Sequence, residues 1–123
     1  VGIEGDKGLI DRAKENAQRN GLMNASFYKA NLFEDVRGFE WFRNKRYNKA
    51  LIDPARSGAI EIIELMPEMG VKRIVYVSCN PATLARDTAK LVELGYTLEQ
   101  AGVMDMFPQT AHVESIALFV KTN

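Results

Sequence analysis

Cys79 is the only cysteine in the sequence, and its setting is one in which a thiol could react. Residues 74–77 are apolar, β-branched or aromatic and read as a buried strand. Asn80 and Pro81 then read as the N-cap and first position of a helix. Leu84, Ala85, Thr88, Leu91 and Val92 follow at helical spacing, and Gly95 supplies a stop. A thiol between a strand's carboxyl end and a helix's amino end borders the crevice where open α/β sheets bind ligands. The positive end of a helix also favours the thiolate, which is the nucleophilic form. The competing reading is that free cysteine is among the most buried residue types and is often inert core.

Carboxylates recur at comparable positions. Asp53 ends the apolar run 49–53 and is held by Pro54, so it faces a sheet-end crevice or else serves an Asp-Pro turn. Glu114 stands in His112-Val113-Glu114 at the start of the last apolar run. Period-two alternation puts His112 and Glu114 on one face. Glu114 is then an acid or base entering the sheet, or a charge guarding an edge strand. Glu4 ends a short strand over residues 1–4. In dinucleotide-type folds an acid at such a strand end hydrogen-bonds ribose hydroxyls, whereas the plainer reading is a solvated glutamate. The confirming glycine-rich loop, about 20 residues earlier in such folds, would precede Val1. Residues 41–47 interleave aromatics with cations, a mixture able to stack on bases or to form a solvated loop with one buried aromatic. His112 has no Cys/His cluster of metal-ligand spacing around it.

The elements that must position these groups alternate. Residues 1–4 read as a strand. A helix follows with Leu9, Ile10, Ala13 and Ala17 on one face, closed by Asn20-Gly21. Residues 25–29 read as a second strand, and residues 34–48 as a loop with room for a short helix. Residues 49–53 form a third strand. Ile60, Ile63, Leu65 and Met66 suggest a helix ended by Pro67 and Gly70. The Cys79 strand and its helix come next, then strands over 96–103 and 112–120. Strands alternating with helices predict βαβ units and a mostly parallel sheet. Residues 104–112 are too few for a parallel crossover, which takes a dozen residues or more, so the last two strands should be antiparallel.

The bulk properties set limits. At 123 residues the chain amounts to one domain, residues 1–123, with 46% hydrophobic and 26% charged residues. Lys+Arg and Asp+Glu both number 16, so no global basic field advertises nucleic acid, though a local basic face suffices for RNA. A single cysteine excludes an intramolecular disulfide and fits a reducing, cytoplasmic setting. No apolar run approaches the roughly 18 residues of a membrane span. The chain opens on Val1 without a methionine, already in a strand, as though an element preceded it.

Taken together, Asp53-Pro54-Ala55-Arg56, Val77-Ser78-Cys79-Asn80-Pro81, Thr83-Leu84-Ala85-Arg86-Asp87 and residues 105–114 resemble the S-adenosylmethionine-dependent RNA uracil-C5 methyltransferases. Residues 1–5 and Asn31-Leu32 also match, so the similarity runs through nearly the whole chain. The pairing of Ser78-Cys79-Asn80-Pro81 with Phe107-Pro108, His112 and Glu114 is its most specific part. Members that modify large-subunit ribosomal RNA are the most similar.

The resemblance implies a Rossmann-like methyltransferase sheet with an antiparallel last strand. It implies Cys79 as nucleophile, Glu114 as base, and Glu4, Asn31 and Asp53 as S-adenosylmethionine ligands. The implied partner is an RNA substrate, ribosomal RNA above all. The family's glycine-rich loop and first strand have no counterpart here. That strand would lie between the one ending at Glu4 and the one ending at Asp53. The resemblance therefore also implies weak or absent cofactor binding and no activity for this chain alone, and a tendency to self-associate through open edges. Two other readings stay open: a nitrogen-directed methyltransferase that uses the Asp-Pro motif, and a Rossmann-like domain kept for binding or assembly.

Overall fold

The computed structural model describes residues 1–105 and 113–122. The chain divides into two units, Val1–Asn44 and Lys45–Asn123.

The first unit holds β1 (Gly2–Glu4), α1 (Lys7–Arg19), β2 (Phe27–Lys29) and α2 (Glu40–Arg43). β1 and β2 pair in parallel, with Glu4 opposite Lys29. α1 is capped by Asp6, whose carboxylate accepts from the Gly8 amide at 2.8 Å. It stops at Asn20, and Gly21 takes the left-handed conformation with φ of 68°. Its buried face carries Ile10 and Ala17, whereas Leu9, expected on that face, is 48% exposed. Apolar residues at adjacent positions point about 100° apart on a helix, so only one of Leu9 and Ile10 can face the core. Trp41 and Phe42 of α2 are both buried. The aromatic–cation run therefore does not offer Trp41 for stacking on a base.

The second unit holds β3 (Lys49–Ile52), α3 (Ile60–Ile63), α4 (Met66–Met69), β4 (Arg73–Ser78), α5 (Pro81–Glu93), β5 (Tyr96–Met104) and β6 (Glu114–Lys121). Its sheet has the order β3-β4-β6-β5. β3 and β4 are parallel, and β6 is antiparallel to both of its neighbours. The expected antiparallel last pair is present. β6 lies between β4 and β5 rather than outside them, and its composition suits that place. Ala117 and Phe119 are buried on one face while Ile116 and Leu118 are apolar on the other, as an inner strand requires. Ile74 pairs with Phe119, and both are fully buried. Leu91 of α5 is buried with them.

The helix expected over residues 60–66 is instead two short ones. Pro67 does not end the first. It occupies the first turn of α4, where its missing N–H has no intrahelical partner to lose. Gly70, with φ of 85°, ends α4. β1 and β3, the strands that end at Glu4 and before Asp53, are edge strands of separate sheets among the described residues. Leu51 of β3 is 73% exposed. No helix among the described residues is long and apolar enough to cross a membrane.

Candidate active site

Cys79 follows directly on β4 and precedes the N-cap of α5, as the residue types predict. The Asn80 carboxamide accepts from the Ala82 amide at 3.1 Å, capping the helix. The residues on either side of Cys79 are tied to each other. The Ser78 hydroxyl, nearly buried, donates to the Asn80 carbonyl at 2.9 Å and accepts from the Asn80 amide at 3.0 Å. This hydroxyl closes a tight turn with Cys79 at its tip. Cys79 is half-buried.

Strand register sets the carboxylates. Ile52 pairs with Tyr76, so Asp53 is the first residue past the end of β3 at the edge where β4 runs toward Cys79. Ser78 pairs with Ser115. Glu114, the residue before Ser115, is thus one step past that pair in the direction of Cys79, the residue after Ser78. It is half-buried and pairs on its other side with Met104. Cys79, Asp53 and Glu114 therefore gather at one end of the four-stranded sheet, which two parallel strands leave and the antiparallel strand enters. His112 and residues 106–111, including Phe107-Pro108, lie outside the described residues.

Glu4 and Asn31 lie at the carboxyl ends of β1 and β2 in the first unit. Glu4 ends β1, and its Oε1 accepts from the amides of Gly5 at 3.0 Å and Asp6 at 3.3 Å. Asn31 lies just past β2, where its side-chain oxygen accepts from the Phe33 amide at 3.0 Å. Both side chains are exposed, and both present acceptors at the carboxyl ends of parallel strands. No group of three or more His, Cys, Asp and Glu side chains could hold a metal ion among the described residues.

Sequence reasoning missed a buried, heavily hydrogen-bonded group in the second unit. Asp87 lies on α5 and is fully buried. Its Oδ2 accepts from the Tyr76 hydroxyl at 2.5 Å and the Ala59 amide at 2.9 Å. Its Oδ1 accepts from Arg86 Nε at 3.0 Å and Nη2 at 2.8 Å. Helical periodicity placed Ala85 and Val92 on the buried face, but both are exposed and Asp87 takes the inner position. An aspartate on a helix reads as solvated unless its partners are known, and two of these stand 11 and 28 residues away. Gly58 completes the arrangement. Its φ is 83°, and a Cβ there would lie 2.5 Å from Arg86 Nη2 and 2.6 Å from Asp87 Oδ2.

Burial, then the hydrogen bond to Asp87 and its negative charge, raise the Tyr76 hydroxyl above its ordinary value of 10.0. A raised folded-state value means that folding favours the neutral phenol. That stabilisation is complete below the unfolded value, about pH 10, and is lost as pH climbs through the folded-state value. Burial raises Tyr96 in the same direction. Thermal stability is therefore expected to fall steeply above about pH 10. Tyr76→Phe should cost about 2 kcal/mol at neutral pH and flatten the alkaline decline without removing the Tyr96 part. Melting curves from pH 8 to 11.5 check this, and equal alkaline slopes for the two proteins would refute it.

Comparisons with known proteins identify the family and the fold. The model of the family described as tRNA (Uracil-5-)-methyltransferase matches residues 7–122. A 23S rRNA (uracil(1939)-C(5))-methyltransferase RlmD from Vesicomyosocius okutanii subsp. Calyptogena okutanii (strain HA) is 71% identical over 121 residues, which is 98% of this chain and 28% of that protein. A protein of the same name from Stenotrophomonas maltophilia (strain R551-3) is 59% identical over 122 residues, 98% of this chain and 27% of its own length. The chain thus spans about a quarter of the curated relatives it matches. TrmN from Thermus thermophilus superposes with a TM-score of 0.71 at 18% identity, over 97% of this chain and 35% of that one. A precorrin-6y C5,15-methyltransferase from Geobacter metallireducens GS-15 gives a TM-score of 0.73 at 15% identity, over 98% and 65%. TrmK from M. capricolum, in complex with S-adenosyl-homocysteine, gives 0.66 at 12% identity, over 98% and 50%. At such identities these structures share the Rossmann-like methyltransferase fold and nothing finer. The family model covers all but the first six residues and the last one, and the chain belongs to the tRNA (uracil-5-)-methyltransferase family.

Proposed function

We propose that this chain is catalytic machinery for methylating C5 of a uridine in RNA, with ribosomal RNA of the large subunit as the substrate class. The placement of Cys79 and Glu114 on adjacent strands, each one residue past the Ser78–Ser115 pair on the same side, supports this reading. The names of the close relatives support the substrate.

C5 of uracil is a poor nucleophile, and the site supplies what it lacks. The Cys79 sulfur adds to C6, forming the S–C6 bond and moving the C5=C6 electron pair toward the O4 enolate. S-adenosylmethionine, when bound, supplies a methyl group on a positively charged sulfur, which keeps the bonding pair when C5 takes that methyl. Glu114 then removes the C5 proton. The freed pair re-forms C5=C6 and expels the Cys79 thiolate, leaving 5-methyluridine.

The residues that the family resemblance implies as ligands of the methyl donor have side chains of a suitable kind. Glu4 and Asn31 offer exposed oxygen acceptors at the ends of β1 and β2, suited to hydroxyl and amino groups, and Asp53 does the same past β3. A uracil inside a duplex exposes neither face of its ring, so the target must be unstacked or in a loop.

The test is covalent trapping. A full-length protein carrying this segment is incubated with S-adenosylmethionine and RNA containing 5-fluorouridine. Fluorine at C5 cannot be removed as a proton, so the protein–RNA adduct persists, and peptide mapping should place it on Cys79. Methylation of ordinary RNA without any trapped adduct would sink the mechanism.

A further inference from the structure

The loop of residues 54–59, which links Asp53 to α3, is held by the helix that begins beside Cys79. Asn80 Nδ2 donates to the Arg56 carbonyl at 3.0 Å, and the Thr83 hydroxyl donates to the same oxygen at 2.9 Å. Arg86 Nη2 donates to the Ser57 carbonyl at 2.8 Å. The Ala59 amide donates to Asp87, which Tyr76 of β4 grips from inside the sheet. Gly58, with its φ of 83°, lacks the Cβ that would collide with Arg86 and Asp87 at this point.

This pattern is uneven in a telling way. Ala55, Arg56 and Ser57 are exposed, so water could satisfy their carbonyls as well. The bonds from Asn80, Thr83 and Arg86 thus contribute little to stability. What they do is fix distance: each joins the segment after Asp53 to the first turns of the helix after Cys79. With Asp87 as its buried anchor, the set sets the separation between the ends of β3 and β4.

We propose that Thr83, Arg86 and Asp87 are positioning residues that clamp the loop after Asp53 to the Cys79 turn, holding both groups in reactive register. The inference rests on the function proposed above, since Asp53 and Cys79 need a fixed separation only if they serve one reaction. None of the three residues touches a reacting atom in this role. A misplacement of about 1 Å can cost about 100-fold in rate, so a small slackening should show in turnover.

Thr83→Val keeps the shape and loses the hydroxyl, and Thr83→Ser restores it. Assayed in a full-length protein carrying this segment, Thr83→Val should lower kcat about tenfold with KM for RNA within about threefold. The rate of adduct formation on 5-fluorouridine RNA should fall in parallel, and the melting temperature should stay close to wild type. Thr83→Ser should recover kcat to within about twofold. Asp87→Asn should lower kcat about 100-fold.

Unchanged kcat in Thr83→Val, or a loss that Thr83→Ser does not rescue, overturns the clamp. A loss that tracks the melting temperature alone overturns it too. If Asp87→Asn does not fold, the Thr83 pair decides. Failure of the underlying function looks different, because wild type itself would then form no adduct or Cys79→Ala would still methylate.

Discussion

Cys79→Ala abolishes methylation and covalent trapping together. The expected loss in a full-length protein carrying this segment is about four orders of magnitude or more, the scale that follows removal of a nucleophile. Alanine leaves the turn intact. Ser78 still ties to both backbone groups of Asn80, and the Asn80 cap does not involve the sulfur. The folded structure should therefore survive, and donor binding should change little. Cys79→Ser is the sharper comparison. It keeps a polar group of similar size, but an alcohol is rarely ionised near neutral pH and is a poor partner for C6. Serine activity within tenfold of wild type would argue that Cys79 packs rather than reacts. Methyl incorporation into RNA, measured beside adduct formation, reads both outcomes.

Glu114→Gln separates the two halves of the reaction. Attack of the thiolate and methylation of C5 need no base, whereas release of the product does. The variant should form the methylated covalent adduct on ordinary RNA and then stall, so that the protein–RNA species accumulates without a fluorinated substrate. Turnover should fall by about 100- to 10,000-fold, the usual range for a general base. Glutamine keeps the size of the side chain, and the backbone pairing of residue 114 with Met104 is unaffected. A stalled adduct on unmodified RNA is an outcome that a structural role for Glu114 does not produce. If Glu114→Gln turns over at the wild-type rate, the base must be sought elsewhere.

These two side chains were legible in the sequence because local signals fixed them. Asn80 and Pro81 announce a helix start wherever the rest of the chain goes, so Cys79 was placed by its neighbours alone. The short connection between the last two strands forced an antiparallel pair, and Glu114 fell at the start of the second one. The continuous apolar run of residues 116–120 suits a strand covered on both faces, but it does not say which strands flank it. Strand order depends on pairing between distant segments, which no window of sequence displays. Asp87 was illegible for the same reason, since its acceptability inside the protein depends on Tyr76, Ala59 and Arg86 arriving together. Pro67 misled because proline breaks a helix interior yet suits a first turn, and the local sequence serves both readings.

The inner position of β6 also dictates an order of events. It is the last in sequence of the six strands among the described residues, yet it pairs with β4 along six residues and with β5 along eight. Until it docks, β5 has no partner in the sheet, and the parallel pair β3–β4 stands alone. Closing the loop from β4 to β6 is entropically costly, so sheet completion should be a late step of folding. The same docking brings Glu114 up beside Cys79. A chain caught before that step would hold its thiol without the proposed base, so incomplete folding and chemical competence cannot coexist. The strand order thus makes the meeting of Cys79 and Glu114 a consequence of finishing the sheet.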